Sequence, residues 1–168
     1  MGGFNATGTN QSEKVAVTTY LVRHAKAGSR GRWNGPDNER LLSSRGEQQS
    51  KKIAKFLVKK DITHIISSPY ARCLQTVARL SSQTGVETEA RSELGEGSPP
   101  DEILNLLTKI SAENAVLCSH GDVIGIIMNY VESLGVNLDS DRSEKGSIWV
   151  LDFSDGQVIN ARYIEPPQ

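Results

Sequence analysis

Cysteine is scarce: Cys73 and Cys118 are the only two in 168 residues. Their spacing is not that of a metal site, and two thiols do not make a disulfide framework. Set in apolar surroundings, they fit a reducing compartment. Charge of one sign is also lacking. The 19 Lys and Arg nearly cancel the 20 Asp and Glu, for a net charge of -1. There is thus no bulk electrostatic case for a nucleic acid polymer or an anionic membrane surface. No apolar run reaches the length that crosses a bilayer. The first 14 residues are rich in Gly, Asn, Thr and Ser, and they lack the apolar stretch of a signal peptide. Without a secretion signal, the glycosylation match Asn5-Ala6-Thr7 carries no weight. The expectation is a cytoplasmic protein with a disordered leader over 1–14 and one domain over 15–168, enough chain to bury a full core. No internal repeat is visible.

What is present alternates. Val15 to Val22 is β-branched and apolar, a buried central strand. Gly28 to Asn38 reads as a loop. Ser44 and Glu47 have capping-box spacing, and Ile53, Phe56 and Leu57 share a face of the helix that follows. Ile62 to Ile66 is a short strand. Ser68 then suits an N-cap and Pro69 a first helical position, with Gly85 as the stop. Ser98-Pro99-Pro100-Asp101 opens a third helix, carrying Ile103, Leu104, Leu107 and Ile110. Ala115 to Cys118 is a second buried strand. Gly121 to Leu134 is a fourth helix, with Val123, Ile126, Ile127, Tyr130 and Leu134 expected on its buried face and Gly125 allowing close packing on the sheet. Two strands around Ser154-Asp155-Gly156 close the chain as a hairpin. This order predicts a three-layer α/β/α sandwich, its sheet mostly parallel with an antiparallel C-terminal edge hairpin.

The chemistry-bearing residues fall where strands end. Leu21-Val22 runs into Arg23-His24, Ser67-Ser68-Pro69-Tyr70-Ala71 into Arg72, and Leu117-Cys118-Ser119 into His120-Gly121-Asp122. In open α/β sheets that edge is where ligands bind. Two guanidinium groups and two imidazoles gathered there make a phosphate pocket with a nitrogen nucleophile at hand. Arginine grips phosphate in a fork that lysine cannot reproduce. Arg72 and His120 each stand at a helix N-terminus, which adds partial positive charge. That charge lowers an imidazole pKa, and a bound phosphate dianion reverses the balance, so His120 is expected to be protonated when ligand is present. The loop after His24 supplies the expected substrate contacts Lys26, Ser29 and Arg30, with Gly121 opening the last helix. A solvated basic loop is the other reading of Lys26, Arg30 and Arg32. Trp33 in that loop leaves nucleotide stacking open.

The segments Leu21-Val22-Arg23-His24-Ala25, Leu41-Leu42-Ser43-Ser44-Arg45-Gly46, Ser67-Ser68-Pro69-Tyr70-Ala71-Arg72 with Gln75-Thr76, and Ser119-His120-Gly121-Asp122 resemble the histidine phosphatase superfamily. Their order and spacing are similar to the small SixA-like phosphohistidine phosphatases, over about Thr19 to Ile164. The runs Ala25 to Arg30, Arg32-Trp33 and Lys145 to Leu151 also resemble the C-terminal phosphatase domain of mycobacterial two-domain Nudix hydrolases. No Nudix box is present, so the chain reads as a stand-alone version. The resemblance implies a metal-independent hydrolase with no cofactor. It implies a phosphohistidine intermediate on His24, with Arg23, Arg72 and His120 completing the pocket. Its general acid sits in a Leu-x-Glu setting, matched here by Leu94-Gly95-Glu96, with Glu93 the second candidate. SixA-like proteins imply phosphohistidine on protein or a small phosphate ester as substrate. The Nudix-fused likeness implies a nucleoside diphosphate, including oxidised guanine nucleotides.

Other readings of the same residues are weaker. Cys73 and Arg79 have the Cys-x5-Arg spacing of cysteine phosphatases, but Leu74 to Ala78 has no glycine and reads as helix interior. A metal on His24, His120 and Asp122 would be repelled by the two arginines. A non-catalytic phosphate-binding module is a third class, and the intact set of Arg23, His24, Arg72 and His120 speaks against it. His64 reads as a structural histidine and Asp122 as a helix cap.

Overall fold

The computed structural model describes residues 16–167, so the expectations for 1–14 and for Val15 lie outside the described residues. A six-stranded sheet runs through the molecule. Its strands are β1 (Val17–Arg23), β2 (His64–Ser67), β3 (Thr88–Ala90), β4 (Ala115–Ser119), β5 (Ile148–Ser154) and β6 (Gln157–Ile164). Its helices are α1 (Ser44–Leu57), α2 (Ala71–Thr84), α3 (Pro100–Ile110) and α4 (Gly121–Ser133). Strand order is β3-β2-β4-β1-β5-β6. The first four are mutually parallel, while β5 runs antiparallel to both its neighbours, β1 and β6.

Alternation along β1 splits the core into two layers. Leu21 faces α3 and α4, packing with Leu107, Val123 and Ile127. Tyr20 and Val22 face the other way, onto Ile53 and Leu57 of α1 and Val77 and Leu80 of α2. The three-layer α/β/α sandwich with its C-terminal edge hairpin is therefore the observed architecture. The hairpin turns through Asp155 (φ 50°) and Gly156 (φ 78°). That is the two-residue geometry with both central residues at positive φ, matching strand twist. Among the described residues no helix is long and apolar enough to cross a membrane.

Local details depart from the sequence reading in five places. Strand β3 was not expected: its three residues are half-buried or exposed and show no apolar run. The cap of α1 is Ser43, one residue before the expected Ser44. Its hydroxyl accepts from Gly46 N at 3.1 Å, and its own N–H and hydroxyl donate to the Lys26 carbonyl. Helix α2 begins at Ala71 rather than Pro69, with Tyr70 at the N-cap position, while the Ser68 hydroxyl accepts from Tyr70 N at 3.2 Å and meets His120 Nε2 at 2.8 Å. Helix α4 gathers Asp122, Asn129, Glu132 and Ser133 on one side, and its buried face is the opposite one, turned from the face expected through Ile126, Tyr130 and Leu134. The sheet takes Val123, Ile124, Ile127, Met128 and Val131, and leaves Tyr130 and Leu134 exposed. Gly125 looks onto open space rather than the sheet.

One glycine is required by a close approach. The first turn of α1 crosses the backbone at Lys26 so tightly that a Cβ on Gly46 would lie 1.9 Å from the Lys26 carbonyl oxygen. Both sides of that clash are backbone, so the loop after β1 or the helix must move. Gly46→Ala is expected to cost about 3 kcal/mol, the upper end for overpacking. That corresponds to a melting temperature lower by roughly 6–12 °C for a domain of this size. A thermal melt within 2 °C of the parent would show that the crossing yields freely.

Candidate active site

The carboxyl ends of β1, β4 and β2 lie side by side. Arg23 pairs with Ser119, and Ser67 with Cys118. The strands are then stitched one step further: His24 N donates to Ser119 O at 3.0 Å and Ser68 N to Cys118 O at 2.9 Å. This puts Arg23, His24, Ser68 and His120 on one edge, and α2 brings Arg72 in from its first turn. Three of the five expected catalytic side chains, Arg23, His24 and His120, descend from this register alone.

His24 is buried, 4% exposed. Its Nδ1 lies 2.7 Å from the Ala25 carbonyl, an acceptor only, so Nδ1 carries the hydrogen and Nε2 keeps a free lone pair. Burial is the main reason its pKa falls to about 3. The Ala25 hydrogen bond opposes the fall, while His120, Arg72 and Arg23 add to it. The ring is neutral across the physiological range. Its segment is held by Thr76, whose hydroxyl accepts from Ala25 N at 2.9 Å and donates to the Arg72 carbonyl at 2.7 Å. One threonine thus couples the His24 loop to α2.

Arg72 is 1% exposed. Its Nη1 donates to the Asp37 carbonyl at 2.9 Å, and Nη2 to Asp37 Oδ2 at 3.1 Å and to Glu96 Oε1 at 2.7 Å. The Tyr70 ring lies 4.9 Å from its central carbon. Asp37 is in turn held by Arg40 at 3.0 Å, and Arg30 lies 3.5 Å away on the outside. Desolvation works to raise the Asp37 pKa. The Arg40 hydrogen bond and the Arg72 charge outweigh it and hold the carboxyl below its ordinary value.

The His120 ring stands edge-on to His24, with centroids 5.4 Å apart. Its Nε2 meets the Ser68 hydroxyl at 2.8 Å and Cys73 Sγ at 3.5 Å. With Ser68 donating to Nε2, the hydrogen of the ring sits on Nδ1. Nδ1 lies 3.3 Å from Glu96 Oε1. The distance suits an ion pair, but the alignment does not make a hydrogen bond. The Glu96 loop is tied down twice. Ser119 Oγ donates to Leu94 O at 2.6 Å, and Gly97 N donates to Asp122 Oδ2 at 2.8 Å. Asp122 therefore holds this loop rather than capping α4. Glu93 turns away and pairs with Arg91 at 2.6 Å.

Arg23 lies against the first residue of α4. A Cβ on Gly121 would sit 3.1 Å from its Cζ, so the guanidinium rests on glycine backbone. Its Nη1 donates to Ser143 O at 2.6 Å. Burial lowers its pKa, opposed first by the Glu96 carboxylate. Among the described residues four buried side-chain N or O atoms lack a hydrogen-bond partner, and three of them are Arg23 Nε, Arg72 Nε and His120 Nδ1. These three donors belong to the residues whose charges act on His24, and buried donors without partners suit an anion.

The remaining expected residues scatter. Lys26 is exposed beside Arg23 and lines a cavity with it. Ser29 and Arg30 are exposed on the far loop, where Ser29 borders a separate cavity of about 240 Å³ with Trp33. The Trp33 indole donates to the Pro36 carbonyl at 2.9 Å. His64 is exposed at the opposite end of β2, near Glu113. Cys73 is buried in α2, in a helical stretch that forms no phosphate cradle. Among the described residues no group of three or more His, Cys, Asp or Glu could hold a metal ion. Sequence reasoning missed Asp37 and Ser68 as partners of Arg72 and His120. The Ser68 contact was legible in principle, since Ser68 and His120 both stand one residue past neighbouring strands.

Comparison with known proteins agrees with this geometry. The profile of the histidine phosphatase superfamily (branch 1) matches residues 19–99. The 8-oxo-(d)GTP phosphatase of Mycolicibacterium smegmatis is 30% identical over 158 residues, covering 89% of this chain, and this chain spans 48% of that relative's length. The SixA structure from Agrobacterium tumefaciens superposes with a TM-score of 0.68 at 22% identity, covering 90% of this chain and 99% of the other. Phosphoglycerate mutase from Bacillus anthracis superposes at 0.69 with 17% identity, covering 94% and 95%. The sheet, the helices on its faces and their order are those of the phosphoglycerate mutase-like fold. With the Arg23-His24 pair, Arg72 and His120 meeting at one sheet edge, the chain belongs to the histidine phosphatase superfamily.

Proposed function

We propose that the protein is a metal-independent phosphatase that works through a phosphohistidine on His24. The observation that carries this reading is the convergence of Arg23 Nε, Arg72 Nε and His120 Nδ1, all buried and unpartnered, around a neutral histidine whose Nε2 is bare. A phosphoryl group in that position would have donors on its equatorial oxygens and a nitrogen in line with the leaving oxygen. His24 Nε2 attacks phosphorus, the P–O bond to the leaving group breaks, and the electron pair departs on that oxygen. Glu96, close to Arg72 and His120, donates a proton to a basic leaving oxygen. It then takes one from the water that cleaves the P–N bond, releasing inorganic phosphate and restoring His24.

The substrate is a phosphohistidine on protein or a small phosphate ester. The nucleotide named for the mycobacterial relative is the second reading, and the cavity beside Arg23 favours it. Two buried free thiols fit the reducing cytoplasm. The test is rapid quenching during turnover of a radiolabelled phosphoryl donor such as acetyl phosphate. An acid-labile, base-stable phosphoprotein is expected, with release of inorganic phosphate in the presence of EDTA. Turnover abolished by EDTA and restored by a divalent metal would overturn the mechanism.

A further inference from the structure

Ser68 has no step in the reaction above, yet it is fully buried with its hydroxyl on the His120 ring. Its backbone is fixed on both sides. The N–H donates to Cys118 O at 2.9 Å, and the carbonyl accepts from Ser67 Oγ at 2.8 Å. Its own Oγ accepts from Tyr70 N at 3.2 Å and lies 2.8 Å from His120 Nε2. An amide N–H can only donate, so it takes a lone pair of the hydroxyl and leaves the hydroxyl hydrogen to Nε2. Cys73 Sγ, 3.5 Å from the same nitrogen, brings a second group able to donate. The other ring nitrogen, Nδ1, lies 3.3 Å from Glu96 Oε1, an oxygen that accepts from Arg72 Nη2 at 2.7 Å. A lone pair on Nδ1 would face a carboxylate oxygen, whereas an N–H there is attracted to it. Both ends of the ring therefore select the same tautomer.

A free histidine side chain prefers the other tautomer, with its hydrogen on Nε2. The fold imposes the less favoured one on both pocket histidines, to opposite ends. In His24 the Ala25 carbonyl takes the Nδ1 hydrogen and leaves Nε2 bare to attack. In His120 the Ser68 hydroxyl takes the Nε2 lone pair and leaves an N–H on Nδ1 without a hydrogen-bond partner. One ring becomes a nucleophile and its neighbour a donor, with centroids 5.4 Å apart. The His120 ring is kept from turning over by its burial and by Tyr70, packed edge-on at 4.5 Å. Desolvation raises the Cys73 pKa, and hydrogen bonds with Cys118, His120 and Ser68 bring it down to about 6. A thiolate there would call for an imidazolium, which sets two charges into a site closed to water. The neutral ring, already supplied with donors on Nε2, avoids that cost.

We propose that Ser68 is a positioning residue of the reaction, holding the His120 hydrogen on Nδ1 so that the neutral ring donates to the transferring phosphoryl group. The inference rests on the phosphatase reading above and adds a residue to it. A ring with its hydrogen on Nε2 would turn a lone pair toward the phosphoryl oxygens and repel the group that the pocket has to stabilise. Donation counts most in the transition state, so its loss falls on kcat more than on KM. In Ser68→Ala the Nε2 lone pair keeps only the long Cys73 contact, and the hydrogen is free to move to Nε2. One buried neutral hydrogen bond shifts an equilibrium by about tenfold, and that is the scale of the expected loss.

The test joins turnover to a direct reading of the ring. Long-range ¹H–¹⁵N correlation spectra of ¹⁵N-histidine protein distinguish Nδ1–H, Nε2–H and imidazolium, and the chain has only three histidines to assign. The parent is expected to show the His120 hydrogen on Nδ1, both alone and with inorganic phosphate added. In Ser68→Ala that hydrogen should shift toward Nε2, while kcat for nitrophenyl phosphate falls about tenfold and KM stays nearly unchanged. Ser68→Cys keeps a weaker donor of similar size. It should fall between the two on both measures, and it carries the comparison if the alanine variant does not fold. An Nε2–H ring in the parent overturns the proposal. So does an imidazolium in the phosphate complex, the protonation expected from the sequence, since Nε2 would then donate to Ser68. A variant whose tautomer shifts while kcat holds also overturns it, and a kcat that falls with the tautomer in place makes Ser68 a structural residue only. A parent inert toward nitrophenyl phosphate removes the phosphatase reading instead, whereas an active parent with the wrong tautomer removes only the role of Ser68.

Discussion

Replacing His24 with alanine is expected to lower turnover of nitrophenyl phosphate by on the order of 10⁴-fold or more, the scale seen when a covalent nucleophile is removed. The phosphoenzyme should vanish with it. No neighbouring group can substitute. His120 Nε2 is occupied by Ser68, and Nδ1 faces Glu96. Retention of an acid-labile phosphoprotein in His24→Ala would remove His24 from its role. The same side chain leaves a signature in stability. Folded His24 takes up a proton only near pH 3, against about 6.5 for the exposed group. Between those values the unfolded chain binds more protons, so stability rises with pH across that window and is lost as pH falls through it. Relative to His24→Gln, the parent should lose about 3 kcal/mol between pH 7 and pH 4, read from urea denaturation. Equal acid sensitivity in the two proteins would mean that His24 is not held neutral by burial.

The sheet and most of the catalytic edge could be read from sequence because two signals coincide there. An apolar run marks where a central strand ends, and the next residue carries the chemistry. Arg23-His24 and Ser119-His120 are of this kind, and β1 and β4 end level with one another as that reading requires. Arg72 was placed by its distance from Pro69, and that survived a helix start two residues late, because both versions keep it in the first turn. What could not be read depends on contacts distant in sequence. Asp37 reaches Arg72 across 35 residues, from a loop whose composition signals only a loop. Ser43 and Ser44 are equally good caps by type, and the choice between them is made by the Lys26 carbonyl. The buried face of α4 was legible, and the expected face was off by part of a turn: Asp122, Asn129, Glu132 and Ser133 share one side, and the face opposite them carries Val123, Ile124, Ile127, Met128 and Val131. The burial of Gln49 gave no signal at all, since a glutamine inside a polar helix stretch looks like solvent-facing surface.

Arg72→Lys tests whether geometry or charge matters at the pocket floor, and the expected loss in kcat/KM is ~10²–10³ with charge conserved. The guanidinium makes three hydrogen bonds to Asp37 and Glu96 and still has Nε to spare. A lysine ammonium can satisfy at most part of that set, from a different height above α2. It would leave either the Asp37 carbonyl or one carboxylate without its partner, and it offers no Nε. The carboxylates sharpen the effect. Asp37 and Glu96 already hold the two outer nitrogens, so the phosphoryl group is left the Nε side, which lysine lacks. A purely structural role for Arg72 would lower stability and expression while sparing the affinity for a transition-state mimic. If Arg72 grips the transferring group, affinity for vanadate, which takes up a trigonal-bipyramidal shape on the nucleophile, should fall by about the same factor as kcat/KM. An Arg72→Lys enzyme within a few-fold of the parent on both measures would mean that Arg72 holds the Asp37 loop and nothing more.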